Sequence, residues 1–193
     1  MSQSPLAPLN SAQTVVPTRA YLYLAPVGTA APADATAEMA SPWKLVGHTT
    51  PDSLSFGVEP EFQQIDSHQS DQPIRRFTTG ETTSVSVDLL QWNGANFKAV
   101  YGGGTITTVG EGSSTYKFVP PSNARDEVSA VVEVVDGSKR YRWVYVKCMQ
   151  VEGVTQELQK GQGSSLPLRL SVLGSDSGAP WYMLTNDPAF APA

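Results

Sequence analysis

Few side chains in this chain are of types that perform catalysis or bind metals. There are two histidines, His48 and His68, and one cysteine, Cys148. His68 lies between Asp66 and Asp71, which makes a loop cation site one alternative. This spacing lacks the regular oxygen pattern of a calcium loop, so we interpret His68 as a solvated loop residue. The sequence has no HExxH, CxxC, G-x-S-x-G or P-loop motif. We therefore expect no catalytic residues, no metal and no cofactor, and the chain is not expected to be an enzyme.

Three further features have structural explanations. The glycines at 102–104 follow a predicted helix, so we interpret them as a helix stop and not as a phosphate cradle. Cys148 lies in an alternating strand and is expected to pack. Arg75 and Arg76 are the one concentrated positive spot. They are either a surface pair or a contact to an acidic neighbour such as Asp66, Asp71 or Glu81.

Composition indicates an all-β chain. The 193 residues include 16 glycines and 15 prolines, which predict many turns, and the net charge is −5. An acidic balance argues against a protein that binds nucleic acid or an anionic membrane electrostatically.

No run reaches the roughly 18 apolar residues of a membrane span, so we expect no membrane insertion. Met1–Pro17 has neither basic residues nor an apolar segment, so we expect no signal peptide. A single cysteine fits a reducing cytoplasm.

The stretch Ser53–Leu90 predicts a long β-hairpin with one polar, solvent-exposed face. Both of its ends alternate polar and apolar residues, and its middle, Gln63–Gln72, is almost wholly polar. Pro60 and Pro73 lie within it, so we expect its outer part to be loop or edge rather than continuous ladder. A two-stranded ribbon is marginal alone and its edges need partners. The hairpin therefore favours a self-assembling protein.

The remaining elements frame this hairpin. A second polar-tipped ribbon, from Val154 to Leu173, forms a weak internal repeat with it, and the two give about four strands with a polar face. We predict one helix, Asn93–Tyr101, and no helix in the Ala/Pro-rich connection 25–42. Further strands or short apolar segments are predicted at 18–24, 43–49, 105–109, 115–119, 127–135, 139–150 and 181–184. We divide the chain into a flexible arm at 1–17, which is either disordered or docks on a neighbour, a β-sandwich domain at 18–185 and a loose tail at 186–193.

This layout resembles the major tail tube proteins of long-tailed bacteriophages of Gram-positive hosts over residues 18–185. The similar features are the opening segment, the hairpin from Leu54, the helix followed by Gly102-Gly103, and the closing ribbon. The opening segment contains Ala25-Pro26-Val27-Gly28-Thr29, Pro32, Trp43, Gly47, Thr49 and Asp52. One departure is Asp52-Ser53, where the family would have Asp-Gly.

The resemblance implies an all-β fold with one short helix, a β-sandwich or barrel whose two long hairpins pair between subunits into an inner β-barrel. It implies a structural virion protein in which hexameric rings stack into a hollow tube through which double-stranded DNA passes into the host. Implied partners are other copies of the chain and the tape measure, tail terminator and distal tail proteins, with assembly in the host cytoplasm. A tube of a contractile tail fits the same pattern.

The resemblance together with strand parity predicts which residues face the channel. The expected lumen-facing residues are Ser53, Ser55, Glu59, Thr82, Ser84, Ser86, Asp88, Arg169 and Ser171. The expected inter-subunit hairpin tip comprises Gln63, Asp66, His68, Asp71, Arg75 and Arg76. The residues expected to pack on the sandwich are Leu54, Phe56, Val58, Val85, Val87, Leu168 and Leu170. The alternative function is a receptor- or carbohydrate-binding β-sandwich module whose exposed aromatic residues would be Trp92, Trp143 and Trp181.

Overall fold

The fold is known from a computed structural model, which describes residues 10–156, 158, 160–161, 163–176 and 178–192. These residues form ten strands and one α-helix, and the predicted all-β class with one short helix is confirmed. The elements are β1 (Arg19–Pro26), β2 (Lys44–Leu45), β3 (Ser55–Ser67), β4 (Ser70–Leu89), α1 (Gly94–Tyr101), β5 (Thr105–Thr108), β6 (Tyr116–Val119), β7 (Glu127–Asp136), β8 (Lys139–Gln150), β9 (Leu166–Val172) and β10 (Trp181–Thr185).

Eight strands form one sheet that folds on itself as a sandwich. The ladder order is β2-β1-β7-β8-β9-β4-β3, and β10 also pairs with β8. The sheet divides at β8, whose first part pairs with β10 and whose last three residues pair with β9. The main core lies between the β9-β4-β3 layer and the β1-β7-β8 layer. Its buried side chains include Leu22, Val85, Val87, Val132, Tyr145, Leu168 and Leu170.

The long hairpin is more regular than the sequence predicts. A continuous antiparallel ladder runs from Ser55 opposite Ser86 out to Ser67 opposite Ser70, with two register shifts. The expectation of a loop in the outer part is therefore wrong, whereas the expectation of edge strand is correct. Pro60 is tolerated because β3 is the last strand of the sheet, where a missing N–H interrupts no second ladder.

A β-bulge in β8 reverses which side chains face the core. Val128 pairs with Cys148, but Ala130 pairs with Tyr145, so two residues of β8 oppose Ser129. The Ser129 hydroxyl donates to the Val146 carbonyl at 2.7 Å and holds the bulge. As a result Tyr145 and Cys148 both enter the same core, although their numbers differ in parity. The strict alternation read from the sequence is wrong at this point.

The other face of the β1-β7-β8 layer is also buried, because the Ala/Pro-rich connection covers it. As predicted, this connection contains no helix. Ala31, Met39 and Trp43 pack there against Val131 and Val144. Beside this cluster the carboxylate of Glu133 accepts from Arg142 Nε at 2.5 Å and from Arg140 Nη1 at 2.6 Å. Arg142 also donates to the carbonyl of Asp34 in the connection at 2.9 Å, so the ion pair fastens the connection to the sheet.

The predicted strand at 43–49 is mostly a crossing between the two layers. Only Lys44–Leu45 forms a strand, on β1, and Thr49 then bridges to Leu89 at the end of β4. Gly47, with φ of 90°, interrupts the strand because this backbone conformation suits glycine alone. In the turn that follows, Asp52 adopts a φ of 61°, so the Asp52-Ser53 departure is accommodated in the left-handed region that aspartate tolerates.

The helix and its surroundings agree with the sequence. Asn93 caps α1 by accepting from Asn96 N at 2.9 Å, and Gly102 ends it in the left-handed conformation. Phe97 and Tyr101 lie on one face, where both contact Phe118 of the β5–β6 hairpin. Asn96, missed by the sequence reading, is buried and donates to the carbonyls of Val46 and Gln91. It ties the helix to the crossing segment.

Of the second predicted ribbon, only the return strand β9 is present among the described residues. Residues 151–156, 158 and 160–161 are not strand, and Glu157, Gln159 and Gln162 lie outside the described residues. The prediction of a second long hairpin is therefore wrong for the described part of the single chain. Strand β7 continues to Asp136, one residue beyond its predicted end, and the β7–β8 turn comprises residues 137–138.

Both ends of the chain contact the β7–β8 turn. Residues 1–9 lie outside the description, but Val16 N donates to Asp136 and Lys139 donates to the Ala12 carbonyl. At the other end, Asp187 accepts from the Tyr141 hydroxyl at 2.5 Å and pairs with Lys139 at 3.0 Å. The expected looseness of the tail is therefore not observed at Asp187. The division into arm, domain and tail stays a prediction.

Candidate assembly interface

Strands β3, β4 and β9 present one polar face on the side opposite the core. Along β4 the buried residues 83, 85, 87 and 89 alternate with Thr82, Ser84, Ser86 and Asp88. The ladders bring polar residues side by side, because Ser86 lies between Ser55 of β3 and Arg169 of β9. Period-2 alternation builds this face from residues far apart in the chain.

Eight of the nine residues predicted to face the channel lie on this polar face. Ser55, Glu59, Thr82 and Ser84 are exposed, and the other members are half-buried. Arg169 donates to Asp88 at 2.7 Å, so these two charges cancel. Ser53 differs, because it precedes β3 and its hydroxyl is used in the turn, where it donates to the Thr50 carbonyl and accepts from Asp88 N. Whether the face lines a channel stays a prediction.

The apolar side of the hairpin is buried only near its base. The predicted packing of Val85, Val87, Leu168 and Leu170 is confirmed by their burial, and Leu54 and Phe56 are partly buried on the core. Phe56 contacts Trp143 with ring centroids 4.6 Å apart. Val58 is 39% exposed, so its predicted packing on the sandwich is wrong within one chain. The sandwich ends between Phe56 and Val58.

Beyond that point the hairpin extends as a two-stranded ribbon with apolar side chains in the open. The exposed members are Val58, Phe62, Ile65, Ile74 and Phe77, and Phe62 is 55% exposed. The sequence reading described only Gln63–Gln72 as almost wholly polar and expected Val58 to pack on the sandwich, and it assigned no role to Phe62, Ile65, Ile74 or Phe77. Clustered exposed apolar side chains indicate an interaction surface.

Both edges of the ribbon are unpaired within the described part of one chain. The outer edge of β3 has no ladder partner, since β3 pairs with β4 alone. The ladder between β4 and β9 stops at Ser84 opposite Ser171, so residues 70–83 of β4 also have a free outer edge. Free edges of this length are templates for pairing with another strand.

The predicted tip residues are brought together at the end of this ribbon. Gln63, Asp66, His68, Asp71, Arg75 and Arg76 are all exposed there. The suggested contact of Arg75 or Arg76 with Asp66, Asp71 or Glu81 is absent among the described ion pairs. Arg76 lies 3.5 Å from the side-chain amide oxygen of Gln64 instead.

The described part of the chain contains no cluster of side chains that could hold a metal ion. No group of three or more His, Cys, Asp or Glu side chains there is close enough to hold a metal ion. Cys148 is fully buried, which confirms that it packs, and burial raises the pKa of its thiol to about 12. It is therefore a poor nucleophile. No described helix has the length and apolar character of a membrane span.

The three tryptophans that would serve a binding module do not form a common patch. Trp143 and Trp181 are half-buried against the sandwich core. Trp92 is 45% exposed but lies beside the helix, where its ring meets Phe97 edge-on and its N–H donates to the Ser164 carbonyl. The alternative of a ligand-binding aromatic surface therefore has little structural support.

Comparison with known proteins decides between these readings. The family model described as phage tail tube protein matches residues 7–193. The chain belongs to the phage tail tube protein family. A search of curated proteins gives no significant match. Membership makes the chain a structural, self-assembling protein of a virion tail. Within a tail tube protein, the exposed ribbon, its free edges and the polar face become the candidate interface between subunits.

Proposed function

We propose that six copies of this chain form a ring and that the rings stack into a hollow tube through which double-stranded DNA enters the host. The single observation that carries this proposal is the β3–β4 ribbon, which leaves the sandwich with two free edges and exposed apolar side chains. Closing such ribbons into a ring pairs every edge and buries these side chains. The proposed partners at the tube ends and core are the tape measure, tail terminator and distal tail proteins, with assembly in the host cytoplasm.

The polar face of β3, β4 and β9 would line the channel. Its side chains are mainly hydroxyls, and the Arg169–Asp88 pair is neutral overall. A lining without excess positive charge does not hold the phosphate backbone, so DNA passes without being retained. Hydroxyl and acidic side chains also keep the channel wetted.

Shortening the ribbon tests this role. We would replace residues 63–77 by Asn-Gly, which joins the cross-strand pair Phe62 and Thr78 through a two-residue turn. A matched control replaces residues 109–115 by Asn-Gly between Thr108 and Tyr116 in the β5–β6 hairpin. Neither change removes a buried residue, so both variants are expected to fold.

The readout is negative-stain electron microscopy over a concentration series. We expect hollow rings or tubes from the wild type and the β5–β6 control, and monomers from the shortened ribbon. Normal tubes from the shortened variant would refute a role for the ribbon in assembly. Wild-type monomers at every concentration would contradict self-assembly of the chain alone.

A further inference from the structure

The ribbon carries opposite charges that find no partner in the described part of one chain. Arg75 and Arg76 lie near its tip, while Glu59, Glu61 and Glu81 lie nearer its base. None of these five takes part in an ion pair among the described residues. Each is exposed, and the 3.5 Å contact of Arg76 with the neutral Gln64 amide leaves the Arg76 charge unpaired among the described residues.

Two pairs of opposite charges each share one face of the ribbon: Arg75 with Glu61, and Arg76 with Glu81. In both pairs the arginine lies the same distance further towards the tip. On the polar face, Arg75 lies opposite Ile65, four β3 positions outward from Glu61. On the other face, Arg76 lies opposite Gln64, four β3 positions outward from Pro60, which is opposite Glu81. At about 3.3 Å per residue, both displacements are about 13 Å along the ribbon. A second ribbon displaced by this distance along the first would therefore bring a carboxylate level with each arginine on both faces at once.

Closing the ribbons into a β-barrel displaces neighbouring ribbons along one another, because strands in a barrel tilt and the register staggers around the ring. The two unpaired charge pairs select a stagger of about 13 Å. This step rests on the proposed ring.

The geometry points to a staggered electrostatic lock between neighbouring copies, in which Arg75 of one ribbon pairs with Glu61 of the next and Arg76 pairs with Glu81. The partner is a second copy of this chain, displaced by four residue positions. Phe62, Phe77 and Ile65 lie in the same segment and are covered by the same contact. The lock sets the register, because a ribbon that slips by one residue puts every side chain on the opposite face.

Engineered cysteine pairs test the stagger directly. The face-matched variant is R75C/E61C, whose two positions lie on the adjoining β4 and β3 edges. The face-mismatched control is R76C/E61C, which moves the β4 cysteine by one residue to the other face. Within one chain Glu61 lies four ladder positions from Arg75 and three from Arg76, about 10–13 Å along the ribbon and beyond the roughly 7 Å between Cα atoms that a disulfide spans. Cys148 is buried with a raised pKa and does not compete.

Mild oxidation of assembled protein, followed by denaturing non-reducing electrophoresis, reads out the contacts. We expect ladders of covalent oligomers from R75C/E61C and at least about tenfold less product from R76C/E61C. Equal products from matched and mismatched variants, or none from either while microscopy shows rings, would overturn the lock and leave the proposed function standing. Wild-type protein that never assembles would overturn both.

Charge exchange provides an independent measurement. R75E places like charges together and is expected to raise the protein concentration needed for half-assembly by at least about threefold in low salt. R75E/E61R restores the opposite pair and is expected to recover most of this loss. K117E, which makes the same charge change on exposed β6, is the control. The pairing would be refuted if the difference in half-assembly concentration between R75E and the wild type were unchanged in 1 M salt. It would also be refuted if R75E/E61R did not recover assembly.

Discussion

Replacing Glu133 by alanine tests the buried ion pair that holds the Ala/Pro-rich connection on the sheet. Glu133 and Arg142 each have side chains only 3% exposed, whereas Arg140 is 40% exposed. E133A leaves the Arg142 guanidinium buried without its carboxylate, a change that costs about 3–5 kcal/mol. The contact with Arg140 adds little because water screens it. For a domain of this length the loss corresponds to a Tm decrease of roughly 6–20 °C.

Urea denaturation monitored by circular dichroism measures the change in unfolding free energy. The protein is kept dilute, because assembly would stabilise the folded state by mass action. E127A is the matched control, since Glu127 forms a 3.2 Å pair with Lys147 whose side chains are 42% and 29% exposed. We expect E127A to lose about 1 kcal/mol or less.

A third variant distinguishes the loss of the whole ion pair from the loss of Glu133 alone. E133M/R142M removes both charges and fills the space with apolar atoms, so it is expected to lose less stability than E133A. If E133A falls within about 1 kcal/mol of E127A, or if E133M/R142M is less stable than E133A, the argument from burial is refuted.

Three further predictions concern the core, the helix and the tail. L168A removes a fully buried side chain of β9 and is expected to lower the unfolding free energy by about 2–5 kcal/mol, with an unchanged m-value in urea. N96A deprives two carbonyls of their donor, and we expect urea melts to show a loss of about 1–3 kcal/mol, against little change for an exposed control such as T107A. The hydrogen bond from Tyr141, two further hydrogen-bond donors and the Lys139 charge lower the pKa of Asp187 from 3.8 to about 2. Its stabilising contribution is therefore complete above about pH 4 and is lost as the pH falls through 2. In urea melts at pH 5, 3 and 2, the difference in unfolding free energy between the wild type and D187N should shrink as the pH falls. A difference that stays constant would contradict this assignment.

Local sequence patterns were enough to predict several elements. The alternation in residues 53–59 and 82–89 identified the hairpin and its buried side, because one face of a strand repeats every second residue. The cap residue Asn93 and the glycine after Tyr101 marked the ends of α1. These patterns depend on residues that are close together in the sequence, so they can be recognised without knowledge of the fold.

Other features depended on contacts that no local pattern contains. The β8 bulge arises from pairing with Ser129, and it exchanges the two faces of the strand partway along. The predicted strand at 43–49 became a crossing because Thr49 joins the opposite layer of the sandwich. Alternation alone carries no information on which layer a residue will meet.

What this sequence determined by itself was the all-β class, the long hairpin, its polar and apolar faces and the absence of recognised catalytic motifs. Those properties follow from residue types at fixed local spacing. The tertiary structure decided where the sandwich stops along the hairpin, and therefore that Val58, Phe62 and Phe77 are left exposed. It also decided that Arg75 and Arg76 lack carboxylate partners among the described residues. Burial and pairing are set by segments distant in the chain, and the order in which strands join the sheet fixes which edges remain free.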